Sequence, residues 1–257
     1  MKFTQAQLDI LCQLAKAAGH EIMDVYQGQI DTWQKEDNSP LTQADLRADK
    51  VIRLGLEMHF PDVFILSEES RSAEQDTIPE TLFLVDPLDG TKEFLKRNDE
   101  FTVNIALVHQ GRVMAGVVFA PALNELFYAA KGLGCWKEDA TGKQPLTIVP
   151  RGEKQPLRVI GSRSHGSDQL NEWLETLNEP YTLMTAGSSL KFCRIADGQA
   201  DVYPRFGLTS QWDTAAAQCI VEQAGGKVTD LAGKPLTYGL ERAILNPFFV
   251  ASSPNKR

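Results

Sequence analysis

Paired cysteines are missing from this chain of 257 residues: Cys12, Cys135, Cys193 and Cys219 stand far apart, with no C-x-x-C pair. That scatter argues against a disulfide frame or a zinc site and favours reduced, buried thiols in a cytoplasm. Long apolar runs are also lacking, and none approaches the ~18 residues of a membrane span. The first residues carry no basic stretch followed by an apolar one, so no export signal is visible. Positive charge is scarce: 26 Lys and Arg face 34 Asp and Glu, a net charge of −8. This excess disfavours a general electrostatic grip on nucleic acid or anionic lipid. An anionic substrate has to be held by bound metal and a few local cations. Low-complexity tracts and internal repeats are absent, and the length allows one large domain or two small ones.

Hydrophobic periodicity supplies the elements. Leu8, Leu11, Leu14, Ala15, Ala18, Ile22 and Val25 recur at helical spacing and predict a helix over 5–27. A second helix is expected over 43–59, stopped near Pro61. Strands are expected at 63–66, 82–85, 101–108, 113–119 and 124–130, as an antiparallel meander. The prolines and charges of 145–156 read as a linker. Beyond it strands at 157–161, 181–185, 200–203, 227–230 and 247–252 alternate with helices at 167–177, 188–198 and 212–224. The expected organisation is an α+β half over 1–150 with an antiparallel sheet and an α/β half over 151–257. The site lies in the cleft between them.

The most informative segment is Asp86-Pro87-Leu88-Asp89-Gly90-Thr91, which follows the apolar run Leu82-Phe83-Leu84-Val85. Two carboxylates from one tight turn can share hard divalent cations such as Mg²⁺. Backbone N–H groups of Gly90 and Thr91, if a helix starts there, face a phosphate. Metal-assisted phosphate ester hydrolysis needs both features. Glu68-Glu69-Ser70 puts carboxylates at another strand end, Trp212-Asp213 opens a helical stretch, and Asp45 lies at the start of the second helix. Singly, Asp213 reads as a helix cap, Glu68 and Glu69 as solvated charges, and Asp86 and Asp89 as an Asx-turn. None of these readings explains why all sit at element ends beside a Gly-Thr turn.

Taken in chain order, Glu68-Glu69-Ser70, Asp86-Pro87-Leu88-Asp89-Gly90-Thr91 and Trp212-Asp213 resemble the three motifs of the lithium-sensitive, Mg²⁺-dependent phosphatases of the inositol monophosphatase superfamily. The resemblance runs from the first helix to Asn246-Pro247 and implies an α/β (α+β) fold, a layered α-β-α-β-α sandwich of the inositol monophosphatase and fructose bisphosphatase type. It places metal ligands on Glu68, Asp86, the carbonyl of Leu88, Asp89 and Asp213, for two or three Mg²⁺ ions. Thr91 and Asp45 match the pair that orients and deprotonates the attacking water. Glu68, Gly90, Thr91 and Asp213 also fall beside the substrate.

Inositol monophosphatases usually follow Asp-Gly-Thr with a Thr-Asn-Phe-like triplet, where this chain has Lys92-Glu93-Phe94. Together with Phe101-Thr102-Val103-Asn104, Ser162-Arg163-Ser164-His165, Gly187-Ser188-Ser189-Leu190-Lys191 and Tyr203-Pro204-Arg205-Phe206-Gly207, this is similar to the CysQ-type 3′(2′),5′-bisphosphate nucleotidases of bacteria. The implied substrates are adenosine 3′,5′-bisphosphate and 3′-phosphoadenosine 5′-phosphosulfate, in sulfate assimilation. Ser188, Lys191 and Arg205 then lie around the sugar and 5′-phosphate, and His165 by the nucleoside. The residues alone leave Lys191 as a solvated helix charge and His165 as a turn cap equally open. Lys96 and Arg97 read as solvated charges near the site; Phe192, Phe206 and Trp212 read as core. An inositol-phosphate or other sugar-phosphate phosphatase with the same metal core is the alternative. A silent regulator is disfavoured because every motif position is filled. The resemblance implies a cytoplasmic enzyme, and leaves open both loose attachment to the inner membrane's cytoplasmic face and the oligomeric state.

Overall fold

A computed structural model of the chain describes residues 2–35, 40–70, 78–152, 154–163 and 168–254. Two long helices open the fold: α1 (Gln5–Gln27) and α2 (Gln43–His59). Each starts in a capping box, Thr4 with Gln7 and Thr42 with Asp45, which satisfies backbone N–H groups that a helix start otherwise leaves unpaired. Between them a small hairpin, β1 (Thr32–Gln34) and β2 (Pro40–Thr42), escapes the periodicity argument because three residues are too few to show a period.

The larger sheet has seven strands in sequential order: β3 (Phe64–Ser67), β4 (Thr81–Asp89), β5 (Thr102–His109), β6 (Arg112–Ala120), β7 (Glu125–Ala130), β8 (Gly134–Asp139) and β9 (Gly142–Leu146). The expected antiparallel meander holds from β4 onward, whereas β3 pairs parallel with β4. β8 and β9 are additions, and Pro145 lies in edge strand β9 rather than in a linker; an edge strand can spare the N–H that proline lacks. A short helix, α3 (Thr91–Lys96), follows β4 directly.

The second sheet is mixed, in the order β11 (Tyr181–Ala186), β10 (Leu157–Ser162), β12 (Val202–Arg205), β14 (Phe249–Ser252) and β13 (Lys227–Asp230). Three helices accompany it: α4 (Asp168–Glu175), α5 (Leu190–Ala196) and α6 (Ala215–Gln223).

Three apolar cores define the layers. α1 and α2 bury Leu8, Leu11, Ile22, Ile52 and Leu56 against Phe83, Val85, Ile105 and Val117 on one face of the large sheet. Its other face, through Leu84, Ala106 and Val118, packs with α5 and α6 against Tyr203, Val228 and Phe249 of the small sheet. α4 covers the far side through Leu174 over Val159 and Val202. The order is α-β-α-β-α, as the resemblance implied. Covering on both faces explains why β5 is buried along almost its whole length, Thr102 and Asn104 included. α6 approaches β6 so closely that a Cβ on Gly116 would lie 2.2 Å from the Ala216 carbonyl oxygen, and that approach carries Asp213, two residues before the helix, toward the end of β4.

Candidate active site

β4 does not stop at Val85, as its apolar run suggests, but continues to Asp89 through a register shift: Asp86 pairs with Asn104 and Asp89 with Thr102. An irregularity of this kind re-aims side chains at a strand end. Pro87 falls inside it, and Asp86 Oδ1 accepts the Leu88 N–H at 3.1 Å. Gly90 then turns the chain into α3 at φ 94°, in the left-handed region. A side chain there would be strained, and its Cβ would lie 3.3 Å from both the Glu100 carbonyl oxygen and Ser188 Cβ.

Glu68 is presented by a pinned loop. Buried Asp49 of α2 accepts from Ser67 Oγ at 2.6 Å and Ser70 Oγ at 2.7 Å, while the Glu68 N–H donates to the Val85 carbonyl at 3.0 Å. Asp213 precedes Thr214, the N-cap of α6, and its Oδ2 accepts the Ser210 N–H at 2.8 Å. Asn246 steadies this loop, donating to the Ser210 carbonyl at 2.6 Å and to Thr214 Oγ1 at 3.0 Å.

Carboxylate oxygens of Glu68, Asp86 and Asp213 lie within 4.8 Å of one another. Burial first, then mutual repulsion with Glu68, Asp89 and one another, pushes Asp86 and Asp213 well above the usual carboxylate range. Burial also raises Asp89, against the pull of Lys191, Ser189 and Asn104. Crowded, hard oxygen donors with too much negative charge for their surroundings fit a divalent cation. Lys35, just after β1, donates to Glu68 at 2.6 Å and also to Glu69. Burial pushes Glu69 up to about 7 while Lys35 draws it down.

Asp45 lies beside this group. Its Oδ2 accepts the Thr42 N–H at 2.8 Å and the Thr42 hydroxyl at 2.6 Å, and its Oδ1 is 3.4 Å from Thr91 Oγ1. The Thr91 hydroxyl is also 3.3 Å from the Leu88 carbonyl oxygen. Burial raises Asp45, against its bonds to Thr42.

Lys191, on α5, is buried. Its ammonium donates to the carbonyls of Ser188 at 2.6 Å and Ala186 at 3.3 Å, and stands 5.5 Å from the Tyr203 ring centroid. Burial brings its pKa down to about 8. Arg205, at the end of β12, donates to the Leu208 carbonyl at 3.2 Å, and its buried Nε has no hydrogen-bond partner among the described residues.

One open cleft of about 510 Å³ gathers Glu68, Asp86, Leu88, Asp89, Gly90, Thr91, Ser188, Lys191, Arg205 and Asp213. Every candidate named from the sequence borders it except Asp45, which reaches it through Thr91, and His165, which lies outside the described residues. Arg97 is exposed, as expected, and also donates to the carbonyls of Tyr26 and Gly28 and packs over the Tyr26 ring. Two expectations need correction. Phe206 is half-buried against Phe248, and Trp212 packs on the core yet lines the cleft; only Phe192 is wholly core.

The periodicity and motif arguments missed Lys35, Glu100 and Ser189. Ser189 Oγ lies 2.7 Å from Asp89 Oδ2 and 2.8 Å from the Asp213 carbonyl oxygen, and Asn104 Nδ2 donates to both Ser189 at 3.0 Å and Asp89 at 3.2 Å. The available signal was Asn104 itself, an amide in a stretch that is otherwise apolar from Val103 to Val108.

Residues 4–255 match the inositol monophosphatase family. The chain belongs to that family. Its members are metal-dependent, in keeping with the acidic group here. Within the inositol monophosphatase family the chain is 49% identical over 245 residues to the 3′(2′),5′-bisphosphate nucleotidase CysQ of Salmonella typhimurium, covering 94% of this chain and 98% of that one. The crystal structure of CysQ from Bacteroides thetaiotaomicron superimposes with a TM-score of 0.86 at 33% identity, over 99% of each chain. An inositol monophosphatase from Anabaena has a TM-score of 0.76 at 27% identity, covering 96% of this chain and 90% of that one. Among the described residues no helix is long and apolar enough to cross a membrane.

Proposed function

We propose that this chain is a Mg²⁺-dependent 3′(2′),5′-bisphosphate nucleotidase, which hydrolyses the 3′-phosphate of adenosine 3′,5′-bisphosphate to AMP and phosphate. It also accepts 3′-phosphoadenosine 5′-phosphosulfate and works in the cytoplasm, within sulfate assimilation. The observation that carries this reading is the pair Lys191 and Arg205, two cations that line the same cleft as the carboxylates. A bisphosphate has one phosphate to cleave and one to hold. Inositol 1-phosphate leaves such a pair nothing to neutralise. Arginine offers a planar fork and lysine a compact charge, and the buried Arg205 Nε has no partner among the described residues. The similarity to CysQ proteins over nearly the whole chain supports the same reading.

Glu68, Asp86, the Leu88 carbonyl, Asp89 and Asp213 are the residues that would hold two or three Mg²⁺ ions. When bound, these supply Lewis-acid stabilisation of phosphoryl charge and acidify water. The protein's own part is proton handling and orientation. The Thr91 hydroxyl orients the attacking water and relays its proton to Asp45 Oδ1, since Oδ2 is engaged by Thr42. Burial makes Asp45 a stronger base than a free carboxylate. Water attacks phosphorus in line, the bond from phosphorus to the ribose 3′-oxygen breaks, and that oxygen takes a proton from solvent. The N–H groups of Gly90 and Thr91 face the charge that builds on the phosphoryl oxygens.

The test is the double variant Lys191→Ala with Arg205→Ala, assayed on adenosine 3′,5′-bisphosphate and on adenosine 3′-phosphate. A loss of at least 100-fold in kcat/KM on the bisphosphate alone supports the reading. Equal retention on both substrates contradicts it.

A further inference from the structure

Glu100 lies in the loop between α3 and β5, and its backbone carbonyl packs beside Gly90. Its carboxylate nevertheless reaches across to the small-sheet side of the cleft. Oε2 accepts the Gly187 N–H at 2.8 Å, and the two oxygens take Arg163 in a fork, Nε at 2.6 Å and Nη2 at 2.7 Å. Arg163 extends the hold by donating to the Thr185 carbonyl at 3.2 Å. The backbone is equally close: a Cβ on Gly187 would lie 2.6 Å from the Glu100 carbonyl oxygen. Gly187 thus rests directly on Glu100.

What flanks Gly187 gives this contact its meaning. The two carbonyls that hold the Lys191 ammonium belong to Ala186 and Ser188, one residue to either side. Ser188 itself sits at φ 43°, a left-handed conformation that a residue other than glycine keeps only under constraint. The next residue is anchored separately, because Ser189 Oγ lies against Asp89 and the Asp213 carbonyl. The turn 187–189 is therefore held at Ser189 by Asp89 and the Asp213 carbonyl, and at Gly187 by the Glu100 carboxylate.

We propose that Glu100, supported by Arg163, is a positioning residue that sets the Lys191 ammonium for the phosphate that is not cleaved, and so determines preference for a bisphosphate over a monophosphate. This rests on the nucleotidase reading above. Glu100 acts through Gly187 and Lys191 and does not itself meet the substrate. Loss of its carboxylate frees the Gly187 N–H and lets the two carbonyls drift, while Ser189 continues to hold the carboxylate side.

The experiment compares wild type, Glu100→Ala, Glu100→Gln and Arg163→Ala on adenosine 3′,5′-bisphosphate and adenosine 3′-phosphate, with Mg²⁺ saturating and thermal midpoints recorded. Glu100→Ala is expected to raise KM for the bisphosphate at least tenfold, leaving kcat within threefold and both constants for the monophosphate within threefold. Glu100→Gln, which keeps an acceptor for Gly187, and Arg163→Ala are expected to fall between. Equal losses on both substrates, or a fall in kcat without a rise in KM, assign Glu100 a merely structural part and overturn the proposal. So does a discrimination ratio unchanged from wild type. If wild type itself fails to prefer the bisphosphate, the nucleotidase reading falls, and this inference with it.

Discussion

The Ser189 hydroxyl oxygen lies 2.7 Å from Asp89 Oδ2, joining a residue that opens α5 to a carboxylate at the end of β4. Asn104, donating to both, completes a triangle, and Thr102 fixes its amide by donating to Asn104 Oδ1 at 3.0 Å. The carboxylate is thus oriented by the large sheet and the helix layer together. Partners that orient a ligand typically change metal affinity by ~10–100-fold when removed. Ser189→Ala and Asn104→Ala should each raise the Mg²⁺ concentration for half-maximal activity about tenfold. Isothermal titration with Mg²⁺ in the absence of substrate should show the same weakening. Unchanged binding in both variants contradicts the orienting role.

Thr91 and Asp45 should separate in a different way. Thr91→Ala should lower kcat by ~10²-fold or more with KM little changed, as expected for a group that acts on proton transfer. Asp45→Asn should match that loss and also cost about 1 kcal/mol of stability, because the carboxylate completes the capping box of α2. Steady-state kinetics together with denaturant unfolding distinguishes the two.

Lys191 predicts a pH dependence. Burial lowers its pKa from 10.5 to about 8, so the folded protein holds this proton less firmly than the unfolded chain does. Between those two values the unfolded state carries more protons. The lysine's contribution to stability is therefore least favourable below about 8 and improves as pH rises from 8 toward 10.5. Substrate affinity moves the opposite way, because the uncharged amine cannot neutralise a phosphate. KM for adenosine 3′,5′-bisphosphate should rise as pH passes above about 8, with no matching rise for adenosine 3′-phosphate. Lys191→Arg should flatten the bisphosphate profile, since a guanidinium stays charged throughout.

Gly90→Ala should destabilise the protein by about 1–3 kcal/mol, because φ 94° and the contacts with Glu100 and Ser188 leave no relaxed place for a methyl group. Thermal unfolding measures the cost. A midpoint equal to wild type contradicts the assigned strain.

What was legible in the sequence divides along a physical line. Asp86 and Asp89 were readable because one turn places both and the neighbouring Gly90-Thr91 explains their company. α1 and α2 were readable because each offers several turns of apolar period. The layered order came through resemblance rather than period, since neither sheet's cover is encoded locally. The continuation of β4 past Pro87 was hidden because a proline ordinarily ends a central strand, and a register shift accommodates it here. Lys35, Glu100 and Ser189 were invisible for another reason: their partners lie 33, 87 and 100 positions away, and only the assembled fold brings them together. The carbonyl acceptors of exposed Arg97 were hidden on the same ground, because they lie at the distant end of α1.

The most direct test of the central claim is phosphate release from adenosine 3′,5′-bisphosphate and from inositol 1-phosphate, each with Mg²⁺ and with or without lithium. The account predicts fast, lithium-sensitive release from the nucleotide, with kcat/KM at least 100-fold above that for inositol 1-phosphate. A preference for inositol 1-phosphate would leave the carboxylate site standing and contradict the role given to Lys191 and Arg205.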